Sequence, residues 1–368
     1  MRLNRITLFR YQLPFVGRVS LGSRTLLHRE GLLIRVDASH GGKTATGWGE
    51  AAPLPGFSAC TQADVQRNAQ QWAATAIGQS VAPSVSAVCD LCLPFPSSCG
   101  SFRFGAVTAV LDAAARLKGQ SLPHLLEATP RATVSLNALV DANDEMLTEE
   151  AQRIRAVGYR AVKLKVGRTT VANDIRRVRH LADAIGSDVA LRLDANRAWT
   201  YDQALRFAEE LSDVPLAYVE EPLATPSQLP EWHTATGCAI ALDETARELS
   251  PERLFDRFPF VRAIVLKPAL TGVCATRRWA EQAAQHETDV VLSSAYESGV
   301  GLRMVIALAA TLGSHDVPAG LDTYRRIRRD LLSDRLPLHG PCISVDAVFG
   351  TDRSVDPRDL HVVARFFS

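Results

Sequence analysis

The sequence predicts an α/β protein: a closed (β/α) barrel joined to a smaller α+β domain. Three observations carry this. First, five strand-like segments carry charged residues at or near their ends: AVKLKVG (Ala161–Gly167), ALRLDAN (Ala190–Asn196), AYVEEP (Ala217–Pro222), AIALDET (Ala239–Thr245) and AIVLKPALTG (Ala263–Gly272). The steps from Lys165 to Asp194, Glu220, Asp243 and Lys267 are 29, 26, 23 and 24 positions, room for one strand, one helix and two loops. Second, antiparallel strands and helices precede Thr133, whereas strand and helix alternate after it. Third, 368 residues exceed one compact unit of ordinary size and fit a barrel plus a smaller domain.

In chain order, Ile6–Leu13, Gly31–Asp37 and Thr44–Glu50 read as antiparallel strands between turn-prone segments. Leu13–Leu26, with Pro14, Gly17 and Gly22, reads as a mobile loop. Helical patterns follow at Thr61–Gly78 and Phe104–Lys118, and Val81–Ser101, rich in Pro, Ser and Cys, is expected to be an irregular loop or insertion. Residues 1–128 then form the α+β domain. Thr133–Leu139 is the expected first barrel strand, and Glu149–Val157 a helix ended by Gly158. The five charged segments supply strands two to six, separated by helical stretches such as Ala172–Ile185 and Tyr201–Leu211. Asp289–Ser293 is strand seven and Pro318–Leu321 a short eighth, so the barrel domain covers 129–324. An open doubly wound sheet would normally show a Gly-rich phosphate turn after an early strand, and none is evident. The tail, 325–368, contains Ile343–Val348 and His361–Phe366 and is expected to return to the first domain.

Composition excludes several classes. Apolar content of 46% and charged content of 22% are those of a soluble globular protein, and a net charge of +1 makes no electrostatic case for nucleic acid or a membrane surface. The start, MRLNRITLFRYQLP, has no apolar run of signal-peptide length, and no membrane-length apolar stretch follows. Cys89-x2-Cys92 has the spacing of half a zinc site, but no second pair or histidine follows at the required interval. The seven cysteines fit reduced thiols and a cytoplasmic location.

Catalytic groups of barrels sit where the strands end. Alternation along a strand puts Lys163 and Lys165 on one face, and Arg192, Asp194 and Asn196 likewise. The alternative for Lys-x-Lys is a solvated edge strand, but Val162, Leu164 and Val166 flank it and its strand is central. Asp194, Glu220 and Asp243 come from successive strands; pointed into one mouth they would repel unless a cation neutralised them. Hard oxygen ligands with room left for substrate suit Mg²⁺. Taken singly, each carboxylate has the alternative of capping the next helix. In the pairs Glu220–Glu221 and Asp243–Glu244 only one member can face inward, which leaves the other to support the site or cap a helix. A divalent ion beside lysines suits proton abstraction next to a carboxylate, because the resulting enediolate carries two negative charges. The base must be neutral near pH 7, and nearby positive charge and partial burial are what make an amine so.

Longer stretches then resemble a known family. The Lys-x-Lys, Asp, Glu, Asp, Lys series, together with GWGEAAPLPGFS (Gly47–Ser58), LRLDANRAWT (Leu191–Thr200), LKPALTG (Leu266–Gly272), LSSAYESGVGL (Leu292–Leu302) and GLDT (Gly320–Thr323), is similar to the enolase superfamily, whose members use a Lys or His base with Mg²⁺. Within it the chain resembles the muconate-lactonising-enzyme-like subgroup, and there the dehydratase branch of menaquinone biosynthesis. The resemblance implies a modified (β/α)7β TIM barrel with an α+β capping domain built from both chain ends. It implies elimination of water from a succinyl-substituted hydroxycyclohexadiene carboxylate, a small-molecule substrate. Lys165 would take the α-proton, Lys163 would help hold the carboxylate, and Lys267 would stabilise the planar intermediate. Asp194, Glu220 and Asp243 would bind Mg²⁺, with Mn²⁺ as a substitute. Ser293 and Ser294 would donate to a substrate carboxylate, and Pro55, Gly56 and Phe57 would contact substrate. Asn196, Arg192, Glu221 and Glu244 would support these groups from behind. Val81–Ser101 has no counterpart in the matched stretches.

The alternative is an N-acylamino-acid racemase or dipeptide epimerase of the same superfamily, which would use Lys165 and Lys267 as two bases. The Asp-Ala-Asn-Arg-Ala-Trp and Ser-Ala-Tyr-Glu-Ser stretches favour the dehydratase over it and over a muconate cycloisomerase. A non-catalytic binding barrel would be expected to lose a metal carboxylate, and none is lost.

Overall fold

A computed structural model describes residues 1–21, 24–140, 146–313, 317–351 and 353–368. Its strands in chain order are β1 (Arg2–Leu21), β2 (Arg24–His40), β3 (Lys43–Ala51), β4 (Thr133–Ser135), β5 (Ala138–Val140), β6 (Ala161–Lys165), β7 (Ala190–Asp194), β8 (Leu216–Glu220), β9 (Ile240–Leu242), β10 (Ala263–Leu266), β11 (Asp289–Leu292), β12 (Cys342–Ser344) and β13 (Leu360–Phe367). Strands β1 to β3 and β13 form one antiparallel sheet in the order β13-β1-β2-β3. The last strand of the chain thus closes against the first.

Where a mobile loop is expected at Leu13–Leu26, the described residues 13–21 and 24–26 are strand. β1 and β2 continue to pair through Val19–Leu26 and Leu21–Arg24, after an irregularity between Pro14 and Val19. Proline, which cannot donate to a ladder, sits where the register shifts. Gly22 lies outside the described residues.

One long helix covers this sheet. Helix α1 (Gln62–Ala76) is capped by Thr61, whose hydroxyl accepts from Asp64 N while the Asp64 carboxylate accepts from Thr61 N. Helix α2 (Val85–Asp90) follows, then α3 (Gly100–Leu117), whose residues are almost all buried. The Gly-Trp-Gly of β3 is what lets α3 approach. A Cβ on Gly47 would lie 2.1 Å from Ala109 O, and one on Gly49 would lie 1.9 Å from Gly105 O, so no larger side chain fits.

Segment 81–101 is not wholly irregular. Helix α2 lies within it, and Cys89 forms a disulfide with Cys274, 185 residues away. This corrects the expectation of reduced thiols throughout, and it removes Cys89 from a zinc pair with Cys92, which is buried. No local pattern announces a partner at that separation.

The seven strands β5 to β11 form a parallel sheet in chain order. Parallel bridges from Ala319 to Leu136 and from Gly320 to Ser293 join its two edges, so the predicted eighth strand is reduced to a two-residue bridge that closes the barrel. The predicted first strand is divided: β4 pairs antiparallel with β12 from the tail, and only β5 belongs to the barrel. Strand residues such as Val162, Leu164, Leu191 and Leu193 are buried, as expected where helices cover the sheet. Among the described residues no helix is long and apolar enough to cross a membrane.

Candidate active site

Register decides which charged ends meet. Lys163 pairs with Arg192, Lys165 with Asp194, and Asp194 with Glu220, so a lysine and two carboxylates occupy one layer at the C-terminal rim. Glu220 pairs with Ala241, which carries Asp243 two residues further to the same rim. Lys267 follows β10 directly, on the far side of the barrel from β6.

These groups bond to one another. Lys163 Nζ lies 2.7 Å from Asp194 Oδ2 and donates to Glu220 Oε1 at 2.8 Å. Lys165 Nζ donates to Asp194 Oδ2 and to Asn196 Oδ1, both at 2.6 Å. Lys267 Nζ donates to Asp243 Oδ2. The carboxylates of Asp194, Glu220 and Asp243 are buried. Burial alone would raise the Asp194 pKa, but Lys163 and Lys165 hold it well below the usual range. Burial likewise opposes the Lys163 ammonium, yet Asp194 and Glu220 outweigh it and raise that pKa. For Glu220 burial wins, with Asp194 adding to it, and its pKa is pushed up to about 8. Burial of Asp243 is outweighed by Lys267 and Arg247, which lower its pKa.

Around these groups opens a cavity of about 810 Å³. Of the residues predicted from sequence, Lys163, Lys165, Asp194, Asn196, Asp243, Glu244, Lys267, Ser293, Ser294, Gly56 and Phe57 line it. Three of the others lie beneath it. Glu220 is fully buried. Arg192 is also buried, donating to Asn137 Oδ1 (3.2 Å) and Pro318 O (2.8 Å) above the ring of Tyr218. Glu221 accepts from Asp243 N, Thr245 N and Thr245 Oγ1 at 2.7 to 3.0 Å, and so fixes the backbone that carries Asp243. Pro55, exposed like Gly56 beside it, lies outside the lining. Both serine hydroxyls already donate to Gly320 O, at 3.2 Å from Ser293 and 3.1 Å from Ser294.

Backbone conformation sets this rim apart. Asn196, Arg197, Glu221 and Tyr296 all have positive φ and all lie in the loops that follow barrel strands β7, β8 and β11; among the described residues Glu287 is the one other non-glycine case. Such strained conformations persist where surrounding bonds fix them and concentrate at functional sites.

The carboxylates suit a cation. Glu220 Oε2 and Asp243 Oδ1 are buried and accept no hydrogen bond, although ammonium or guanidinium nitrogens lie nearby. Three convergent carboxylates, two of them with a buried oxygen that accepts no hydrogen bond, are a hard donor set of the kind that holds Mg²⁺. Among the described residues no three His, Cys, Asp or Glu side chains are grouped so as to hold a metal ion, and each of these carboxylates is paired with a lysine instead. In type, the carboxylate oxygens fit such an ion.

Sequence reasoning missed four groups that touch this region: Arg247, which lines the cavity, and Arg29, Glu50 and Glu297 behind it. Arg29 donates to Ala52 O, to Pro53 O (2.7 Å) and to Tyr296 O (3.0 Å), holding the turn that precedes Leu54–Phe57 to the barrel. Glu50 and Glu297 stand inside matched stretches, and a lone carboxylate in each of those stretches was the available signal.

Known proteins resemble the chain along its length. A sequence model described as "Enolase C-terminal domain-like" matches residues 146–358, and one described as "MenC, N-terminal domain" matches residues 3–93. The chain is 33% identical to an o-succinylbenzoate synthase of Citrobacter koseri over 347 residues, covering 92% of this chain and 97% of that one. Among solved structures, the L-Ala-D/L-Glu epimerase from Bacillus subtilis superposes with a TM-score of 0.82 at 23% identity, covering 94% and 96% of the two chains. A dipeptide epimerase from Cytophaga hutchinsonii, complexed with Mg and a dipeptide, gives 0.80 at 19% identity, covering 100% and 99%. At these identities the structures speak for the fold alone.

Proposed function

The chain belongs to the o-succinylbenzoate synthase family of the enolase superfamily, and from that membership we propose how its mouth residues divide the labour. The reaction is a dehydration in menaquinone biosynthesis: a hydroxycyclohexadiene carboxylate bearing a succinyl group loses water and becomes the aromatic o-succinylbenzoate.

Lys165 removes the proton α to the ring carboxylate. It is the mouth lysine on the exposed side of Asp194, held by Asp194 and Asn196. Lys163 lies deeper and helps hold the substrate carboxylate. Asp194, Glu220 and Asp243 would hold Mg²⁺, or Mn²⁺ in its place, which supplies positive charge where the enediolate develops two negative ones. Lys267, across the mouth, stabilises the planar dianion by charge. The proton taken by Lys165 then passes to the departing hydroxyl, so the C–H and C–O bonds break and one water leaves with no other reactant. Glu221 and Arg192 act from behind: Glu221 fixes Asp243, and Arg192 braces the barrel floor. Gly56 and Phe57 cover the mouth from the capping domain, and the substrate displaces or shares the Ser293 and Ser294 bonds to Gly320.

The observation that carries this reading is the pair of lysines joined on Asp194 beside two orphaned carboxylate oxygens. The placement of Lys165 and Lys267 on separate carboxylates across the mouth also suits a two-base racemisation, which keeps the epimerase alternative worth one assay. The test is incubation with the cyclohexadiene substrate and Mg²⁺ while following the absorbance of the aromatic product. Asp194→Asn should lose both Mg²⁺ binding and product formation. Exchange of the α-hydrogen of N-succinyl amino acids in D₂O, with no dehydration, would instead identify a racemase.

A further inference from the structure

Arg247 stands one helical turn beyond Asp243, on the short helix Glu244–Glu248, so its side chain comes back toward that carboxylate. Its Nε lies 3.5 Å from Asp243 Oδ1, and both atoms are buried without a hydrogen bond. Its Nη1 donates to Phe57 O at 2.7 Å, across 190 residues of sequence. The guanidinium also lies 5.5 Å from the centroid of the Phe57 ring. Phe57 belongs to a tight turn of the capping domain, in which Phe57 N (3.0 Å) and Ser58 N (2.8 Å) both donate to Leu54 O, and Leu54 N to Ser58 Oγ (2.8 Å). One side chain therefore touches both the turn that covers the mouth and a carboxylate at its centre.

We propose that Arg247 is a positioning residue that couples the covering turn to Asp243: it holds Phe57 over the mouth, and its positive charge weakens the hold of Asp243 on a divalent cation. The inference rests on Asp243 as a metal ligand. The two halves follow from separate physics. A planar guanidinium fork can serve a backbone carbonyl at one end and face a carboxylate at the other, whereas an ammonium gathers its partners around a single nitrogen and does not span that separation. A fixed cation a few ångströms from a bound divalent ion opposes it by Coulomb repulsion.

The test compares Arg247→Met with Arg247→Lys, using readouts that do not depend on which substrate is turned over. Calorimetric titration with Mg²⁺ alone should give tighter binding in Arg247→Met, by about three- to tenfold for a unit charge in a partly wet site. In Arg247→Lys, which keeps the charge, it should stay near the wild-type value. Amide hydrogen exchange at Phe57 and Ser58 should quicken in both variants, because neither keeps the fork. With substrate, KM should rise by about tenfold in Arg247→Met while kcat changes far less, the mark of lost positioning rather than lost chemistry. Mg²⁺ binding that weakens or stays the same in a folded Arg247→Met overturns the charge half. Unchanged exchange at Phe57 and Ser58 in either variant overturns the tether. If Arg247→Met does not fold, Arg247→Lys still decides: quickened exchange with unaltered Mg²⁺ affinity supports the coupling, and any other pair of results refutes it. A shift in Mg²⁺ affinity and exchange together with no dehydration in the wild type would refute the assigned reaction and leave Arg247 in its role.

Discussion

Two buried charged clusters lie close to each other in this protein, and they differ in one respect. In the mouth, Lys163, Lys165, Lys267 and three carboxylates leave Glu220 Oε2 and Asp243 Oδ1 without hydrogen bonds beside a cavity of about 810 Å³. Behind it, at the contact of capping domain and barrel, Arg29, Glu50 and Glu297 are each only 1% exposed. There every polar atom of the three is bonded. Glu50 accepts from Tyr11 Oη, Ser298 N (3.1 Å), Ser298 Oγ and Gly301 N (3.0 Å), and both oxygens of Glu297 accept from Ala295 N at 2.8 Å. A Cβ on Gly301 would lie 2.7 Å from Glu50 Oε2, so that glycine is part of the fit. The contrast teaches that burial and charge do not identify a site by themselves. A saturated cluster fixes structure, and an unsaturated one beside open space holds back bonding capacity for a ligand.

The largest expected effect separates the two clusters directly. Lys165→Ala should lower dehydration by about 10²–10⁴-fold or more, with the unfolding free energy changed by about 1 kcal/mol or less. Steady-state kinetics and urea unfolding of the same sample check both. Near-normal turnover would remove Lys165 as the base. Glu50→Ala should do the reverse. It strands the donors of Tyr11, Ser298 and Gly301 in a dry interface and should cost about 3–5 kcal/mol of stability, while the protein that remains folded keeps its turnover. A catalytic loss as large as that of Lys165→Ala, with stability untouched, would erase the distinction.

The smallest effect concerns pH. Burial, aided by Glu50, pushes the Glu297 pKa up to about 7, above its ordinary value of 4.5. A raised carboxyl binds more protons folded than unfolded between those values. Its stabilising share is therefore fully present below about pH 4.5 and lost as the pH rises through about 7. Compared with Glu297→Gln, the wild type should lose on the order of 1–3 kcal/mol between about pH 5 and pH 8. Urea midpoints taken across that range should converge at the acid end; parallel curves would show that Glu297 is ionised throughout.

Much of this was legible in the sequence, and the limits have physical reasons. The strand ends at Lys165, Asp194 and Glu220 were readable because alternation and the strand–helix repeat are local, and parallel register then puts them in one layer. Glu221 was placed behind the site for the same reason, whereas the supporting role of Arg192 came from the family resemblance, since alternation puts it on the face of Asp194. That Pro55 falls outside the cavity lining was not legible, because a turn signal says that the chain reverses but not which corner faces inward. The hairpin arm was misread because proline and glycine mark a loop or a bulge equally well, and here the ladder resumes beyond the irregularity. The first strand was misread because Thr133–Ser135 takes its partner from the tail, more than 200 residues on.

By itself, then, the sequence determined the layer architecture, the order of the barrel strands and the charged set that meets at its mouth, since each rests on alternation within a strand or on a strand–helix repeat of 23 to 29 residues. Tertiary structure alone decided which of the remaining charges matter. Arg247 meets Phe57, Glu50 meets Ser298 and Cys89 meets Cys274 at separations of 190, 248 and 185 residues. No periodicity links positions so far apart. Only the closed barrel with the capping sheet folded over it brings them within bonding distance.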